Sequence, residues 1–324
     1  MRFDVRYRTL LTYDELAVDS HNEVRARPAT TPYQSVIDYE LRISPPASIR
    51  NFVDGWGTEV DSFGVRLPHI AMEVIAEATV ETTRPPEVTA LVSLSGLDSP
   101  SFVDAHVEYL LPTPATRASP AIKDAAARLR SEAQNVLGLA TSIQAAVRDH
   151  LEYTPAVTSV STTAAEAFEL GAGVCQDYAH LTVAMARSVG LPARYVSGYF
   201  FSTSDADGAD HLAEGGGADD LVTVQTHAWV EVAVPGHRWL AMDPTNGLSP
   251  GERHVKIAHG PDYDAVMPFR GTFIGPETSE VTASVQIRRR AADLDSGSPT
   301  FSTVSEQDIR LLHAEAAAQQ QQQQ

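Results

Sequence analysis

From Cys175 to Val189 the sequence reads CQDYAHLTVAMARSV, with apolar residues at helical spacing on most sides of the turn. Val174, Tyr178, Leu181, Met185 and Val189 form one stripe, which Ala179, Val183 and Ala186 widen. Polar positions crowd into the sector of Gln176, Asp177, His180 and Arg187. Such a helix cannot lie on a surface; it must be wrapped by other elements, so a domain is built around it. Cys175, at its mouth, is the only cysteine in 324 residues and follows Gly171 and Gly173. Unpaired backbone N–H groups and the helix dipole at such a position favour a thiolate, the nucleophilic form of the side chain. A free cysteine is also commonly a small apolar filler. Position alone leaves both readings open.

A base would separate them, and the segment QTHAWVEVAVPGHRWLAMDPTNG supplies a candidate. In THAWVEVAV, Ala228, Val230, Val232 and Val234 fall on one face of a strand, and His227, Trp229 and Glu231 on the other. Pro235 and Gly236 form a turn, and RWLAMD returns as a second strand. That hairpin brings Asp243 opposite His227 to within a residue or two, the register depending on the turn. Facing side chains on adjacent strands lie roughly 4.5–5.5 Å apart at Cβ, so the carboxylate can hold one imidazole nitrogen while the other meets a thiol. Cys175, His227 and Asp243 thus stand in the order nucleophile, base, orienter. These residue types also suit zinc, but no second Cys or His sits at ligand spacing beside them. The sequence therefore implies no metal and no cofactor. His180, five positions beyond Cys175, points about 140° away around the helix and reads as structural.

Composition narrows the setting. A net charge of −18 would repel a phosphate backbone, which argues against a nucleic-acid partner. No run approaches the roughly 18 apolar residues of a membrane span. The N-terminus lacks the apolar core of a secretory signal, and one cysteine fits a reducing compartment, so a cytoplasmic location is expected. Only Lys123 and Lys256 are lysines among 24 basic residues, a pattern that salt adaptation and genomic bias both produce.

Three regions follow. Residues 1–112 are β-rich: FDVRYRTLLTY, SVIDYELRIS and AMEVIAEATVETT alternate with period 2. Residues 113–290 form the catalytic domain, opening with an alanine-rich helix capped by Ser119 and closing on the strand EVTASVQIRRR. Residues 291–324 are a polar, glutamine-ending tail expected to be disordered, apart from a short helix at 303–316. The acidic stretch 202–221 reads as a solvated loop, since Asp205, Asp207 and Asp210 lack the spacing of a calcium loop.

The blocks GVCQDYAHL, GLPARYVSGY, THAWVEV and DPTN resemble the transglutaminase-like superfamily, in its bacterial and archaeal cysteine-protease-like branch. SHNEVRARP at Ser20–Pro28, the D…G…V…F pattern across Asp54–Phe63, and AHGPDYDAVMPFRG at Ala258–Gly271 extend the likeness to about residues 1–290. The resemblance implies an α+β fold, a papain-like core with a central helix against an antiparallel sheet, preceded by a β-rich domain. It implies Cys175 as nucleophile, His227 as general base and Asp243 as orienter. Tyr153, Gln176 and Trp229 are expected to line the cleft, with plain packing as the alternative reading of Tyr153 and Trp229; the Cys175 amide is the expected oxyanion donor, which Tyr153 could join, while Asp262 and Tyr263 fix a nearby loop. The implied reaction is acyl transfer on a peptide or glutamine carboxamide through a thioester, with hydrolysis favoured. A cross-linking transglutaminase and a non-catalytic peptide-binding module are the alternatives. The partner in each case is a peptide or protein.

Overall fold

The computed structural model describes residues 1–89, 91–202, 221–276 and 278–290. The acidic loop with Asp205, Asp207 and Asp210, the tail and its expected helix lie outside the described residues. The front region holds β1 (Arg2–Val24), β2 (Gln34–Ser44), β3 (Ile49–Val53), β4 (Glu59–Val65) and β5 (His69–Thr82). Then come α1 (Pro100–Ala105), α2 (Pro120–Glu132), α3 (Val136–His150), β6 (Glu152–Tyr153), α4 (Ala164–Leu170), β7 (Ala172–Gly173) and α5 (Cys175–Ser188). The chain continues through β8 (Ala193–Phe200), β9 (Leu221–Val224), β10 (Thr226–Ala233), β11 (Trp239–Met242), β12 (His254–Gly260), α6 (Tyr263–Val266), β13 (Phe269–Ile274) and β14 (Ser279–Arg290).

The first sheet follows from the length and pattern of β1. Phe3, Val5, Tyr7 and Leu11 are buried at alternate positions, as period 2 demands. Its N-terminal half is flanked by β5 and β14, with Arg2 across from Glu81 on one side and Arg290 on the other. Past a register shift after Thr12, its C-terminal half pairs with β4 and β13. The sheet therefore takes strands from both ends of the chain.

The second sheet, in order β11-β10-β8-β12, is antiparallel throughout. Helix α5 packs on β10 and β8, with α2, α3 and α4 around it. From Gln176 to Arg187 every residue of α5 is buried, the polar ones included. This is the α+β arrangement expected, a central helix against an antiparallel sheet behind a β-rich front region. The alanine-rich segment is two helices: α2 stops at Glu132, and the Asn135 side chain accepts the Gly138 N–H at 2.8 Å to start α3. Among the described residues no helix is long and apolar enough to cross a membrane.

The two regions share one core. Phe3 of β1 meets Phe201, just past β8, at 5.1 Å between ring centroids. The Gln34 side chain bonds both the carbonyl (2.7 Å) and the N–H (2.8 Å) of Lys256 on β12.

Candidate active site

Two glycines place Cys175. Gly171 ends α4 with φ +70°, a left-handed conformation that costs glycine little. Gly173 has another role. A Cβ there would fall 2.6–2.8 Å from Asp177 side-chain atoms, because Asp177 folds back against it. In that position the Asp177 carboxylate accepts the Val174 N–H (2.8 Å) and the Thr158 hydroxyl (2.7 Å). Asp177 thereby caps the first turn of α5 and fixes the backbone on which Cys175 sits. Burial raises its pKa against the hydrogen bonds that lower it.

Tyr153 is held beside this turn. β6 runs parallel to β7, with Tyr153 paired to Gly173, and Thr154 donates to the Gly173 carbonyl at 3.0 Å. Half of the Tyr153 side chain is exposed (51%). Its pKa is pushed up to about 12, first by burial and then by the nearby Cys175 and Tyr178 charges. A neutral phenol beside the sulfur can donate a proton in a hydrogen bond. The Gln176 amide donates to the Val160 carbonyl at 3.1 Å and so anchors the 159–160 loop.

Across the site, β10 and β11 pair so that Met242 faces Val230. Asp243 thus lies opposite Trp229, two residues along from His227. The His227 Nε2 reaches Asp243 Oδ2 at 2.8 Å. Nε2 being so committed, Nδ1 is the nitrogen left for the thiol, and Cys175 lies near enough to the ring to help raise its pKa. Burial alone would depress the His227 pKa. The Asp243 charge and hydrogen bond, followed by those of Cys175, outweigh it and raise the value to about 10. Asp243 moves the opposite way: burial would raise it, but His227 and then His254 hold it far below the usual carboxylate range.

Asp243 is fully buried, yet no lone pair is wasted. Oδ1 accepts the Thr245 and Asn246 N–H groups, each at 3.1 Å, in an Asx-type turn. Oδ2 accepts Asn246 Nδ2 at 2.8 Å and His254 Nε2 at 3.2 Å besides His227. His254 was not singled out by sequence, since it comes from β12, on the far side of β8 from β10. Asn246 stands in the DPTN block, but the block alone does not say what its amide holds.

His254 supplies the second histidine that spacing did not show: its nitrogen, that of His227 and an Asp243 oxygen lie within 4.8 Å of one another. The Gly251 N–H points at His254 Nδ1 (3.3 Å), leaving the ring proton on Nε2, directed at Asp243. Burial, with Asp243 opposing, lowers the His254 pKa, so the ring is a neutral donor.

Trp229 is 2% exposed and lies over Gly198, where a Cβ would approach the indole to 2.6 Å. It meets His254 edge-on at 5.3 Å and flanks His227 at 6.1 Å, so it walls the ion pair from solvent. His180 is structural: its Nε2 accepts the Tyr263 N–H at 3.2 Å, and burial pushes its pKa down to about 4. Asp262 caps α6 through the Ala265 N–H, which fixes the loop carrying Tyr263.

The arrangement presents a thiol, an imidazole and a buried carboxylate in series beside phenolic and backbone donors. Comparison with known proteins bears on the family and the fold. The transglutaminase-like superfamily profile matches residues 123–244, and the bacterial transglutaminase-like N-terminal region matches residues 3–81. An uncharacterized protein of Mycobacterium leprae is 30% identical over 290 residues, covering 90% of this chain and 99% of its own length. One from Mycobacterium tuberculosis is 28% identical over 316 residues, covering 88% of this chain and 92% of its own. A crystal structure from Cytophaga hutchinsonii, of a protein proposed to be a cysteine protease, shares the fold with a TM-score of 0.70 at 22% identity, covering 94% of each chain.

Proposed function

The chain belongs to the transglutaminase-like superfamily, and on that footing we propose that it hydrolyses carboxamides through a thioester, as a cysteine peptidase or amidase. The observation that carries this reading is the 2.8 Å bond between His227 and a fully buried Asp243, with Cys175 near the same ring at the start of α5.

The raised pKa of His227 keeps its ring protonated at neutral pH, which favours a thiolate–imidazolium pair. The Cys175 sulfur attacks the carboxamide carbon, forming the C–S bond as the carbonyl π electrons move to oxygen. The Cys175 backbone N–H, at the start of α5, and the Tyr153 hydroxyl are the donors assigned to that oxyanion. Collapse breaks the C–N bond, and His227 gives its proton to the departing amine. The ring, now neutral, takes a proton from water as the water oxygen adds to the thioester. The acid leaves, the sulfur departs as thiolate, and the imidazolium is restored. Asp243 keeps its charge throughout and holds the ring in the productive tautomer.

Water is taken as the acceptor because the branch the sequence resembles is protease-like. A lone thiol nucleophile works best where it stays reduced, which accords with a cytoplasmic setting. Mass spectrometry of the protein incubated with a peptide library and a primary amine tests the reading. Shortened or deamidated peptides are expected, and Cys175→Ala should abolish them. Amine-adducted glutamines would make the protein a transferase instead, and products unaffected by Cys175→Ala would end the case for the thiol.

A further inference from the structure

On the face of the second sheet that carries His227 and Trp229 lies a cavity of about 440 Å³, within the range of small-ligand sites. The front region contributes residues 27–34, 53, 57–59, 82, 83 and 85 to its wall, and β8, β10, β11, β12 and the loop residues Pro250 and Gly251 contribute the rest. Its lining includes two tryptophans, Trp229 and Trp239, with Tyr33 facing them from the front region. Its charged side is a three-residue cluster. The Glu231 carboxylate accepts from Arg194 Nε at 2.6 Å and from Lys256 Nζ at 2.7 and 2.8 Å. All three side chains are largely buried, at 12–14% exposure.

Two cations against one carboxylate leave a single positive charge in a partly dry site. Arg27, on the cavity's far side, is already matched by Glu59 at 3.1 Å. The surplus therefore rests with Arg194 and Lys256. Arg194 lies against the Trp239 ring at 4.1 Å and is held in place. Lys256 directs two N–H bonds at Glu231 and has a third to give. His259, next on the same face, lines the cavity, and its ring makes no hydrogen bond among the described residues. Burial first, then the Lys256 and Arg194 charges, keep it neutral, with its pKa down to about 3, so its ring N–H is available as a donor. A network serving only to hold the sheet together would gain nothing from an uncompensated buried cation, which is destabilising unless paired.

We propose that this cavity is a binding site for a small organic carboxylate, its anion held by Lys256 and His259 and its apolar body lying against the partly exposed Trp239 and Tyr33. The ligand would neutralise the cluster and span both sheets, because the Lys256 backbone is bonded to Gln34 of the front region. None of this depends on Cys175 being catalytic.

Isothermal titration calorimetry with benzoate, and with benzamide as its neutral isostere, tests the proposal in both wild type and Cys175→Ser. Benzoate should bind at least about tenfold tighter than benzamide in both, the preference expected of a charge-assisted contact. Lys256→Met, which leaves Arg194 to pair Glu231, should erase the preference, whereas Lys256→Arg should retain most of it. His259→Phe leaves the ion pairs intact and should weaken benzoate about fivefold, so it serves if Lys256→Met does not fold. A peptide with a free C-terminus binding more tightly than benzoate would identify a chain end as the ligand; benzoate binding better would identify a free acid. Equal binding of benzoate and benzamide, unchanged benzoate affinity in folded Lys256→Met or His259→Phe, or no saturable heat with wild type would each overturn it.

Discussion

Five donors converge on the Asp243 carboxylate: His227, His254, the Asn246 amide, and two turn N–H groups. Replacing it by asparagine keeps the shape and removes the charge that raises the His227 pKa. Burial would then be opposed by Cys175 alone, and the ring's pKa should fall. The alkaline limb of kcat/KM, which the wild type should show near the His227 value of about 10, is therefore expected to move to acid in Asp243→Asn. The rate should fall by about 10²–10⁴-fold, as when a triad carboxylate is neutralised elsewhere. The stability sign is separate. A folded value above the unfolded one means that His227 contributes fully below about pH 6.5, and that this contribution fades as the pH rises through about 10. Asp243, depressed, contributes only above about pH 4. The Tm gap between wild type and Asp243→Asn should be widest near pH 5–6.5 and shrink toward pH 10. An unmoved alkaline limb would show that the carboxylate does not govern the ring. The Cys175, His227 and Asp243 trio could be picked out from the sequence because each stands in a local pattern, a helix mouth or a hairpin. His254 could not, because what brings it to Asp243 is the pairing of β12 with the opposite edge of β8 from β10.

The elements show the same division. Helix α5 is legible because its apolar residues cover most of its circumference, and burial of the whole helix follows. The role of its polar residues is not, since Asp177 and Arg187 are buried through partners distant in sequence or on other elements. Arg187, for example, donates to the carbonyls of Leu111, Ala193 and Pro261. Gly173 is the point where local sequence and site geometry meet. Its value does not lie in backbone freedom, because Gly173 is absent from the positive-φ glycines. It lies in the space that Asp177 occupies. Gly173→Ala should push that carboxylate off the Val174 N–H, lowering stability by about 1–3 kcal/mol through overpacking and a lost cap. Iodoacetamide labelling of Cys175 should slow in the same variant, because the turn that presents the sulfur is displaced. Denaturant unfolding and labelling rates measure the two effects, and a Gly173→Ala protein matching wild type in both would refute the capping role.

At the scale of the molecule, the chain closes on itself. β14, the last described strand, pairs with β1 over twelve positions from Arg2↔Arg290 to Tyr13↔Ser279, and β13 pairs with the far half of β1. Alternation within each strand was readable from sequence, but this pairing joins residues nearly the whole chain apart, and no local periodicity encodes a partner. The consequence bears on how the regions can be separated. Removing residues 1–112 would delete β1 to β5 together and strip β13 of its partner and β14 of β1, leaving β14 with β9 alone. Val285 and Ile287, now buried, would face water, as would Phe201, which packs on Phe3. A twelve-residue strand with one edge opened along its length and an apolar face is an aggregation template. The truncated protein is therefore expected to be insoluble, or to lack a cooperative thermal transition, while the full chain should unfold with the front region and the catalytic core in one calorimetric event. A truncated protein that melted cooperatively and kept Cys175 as reactive as in the full chain would show that the first sheet is dispensable to the site. Failure of the truncation to fold would trace to the β1–β14 closure and would not count against Cys175, His227 or Asp243.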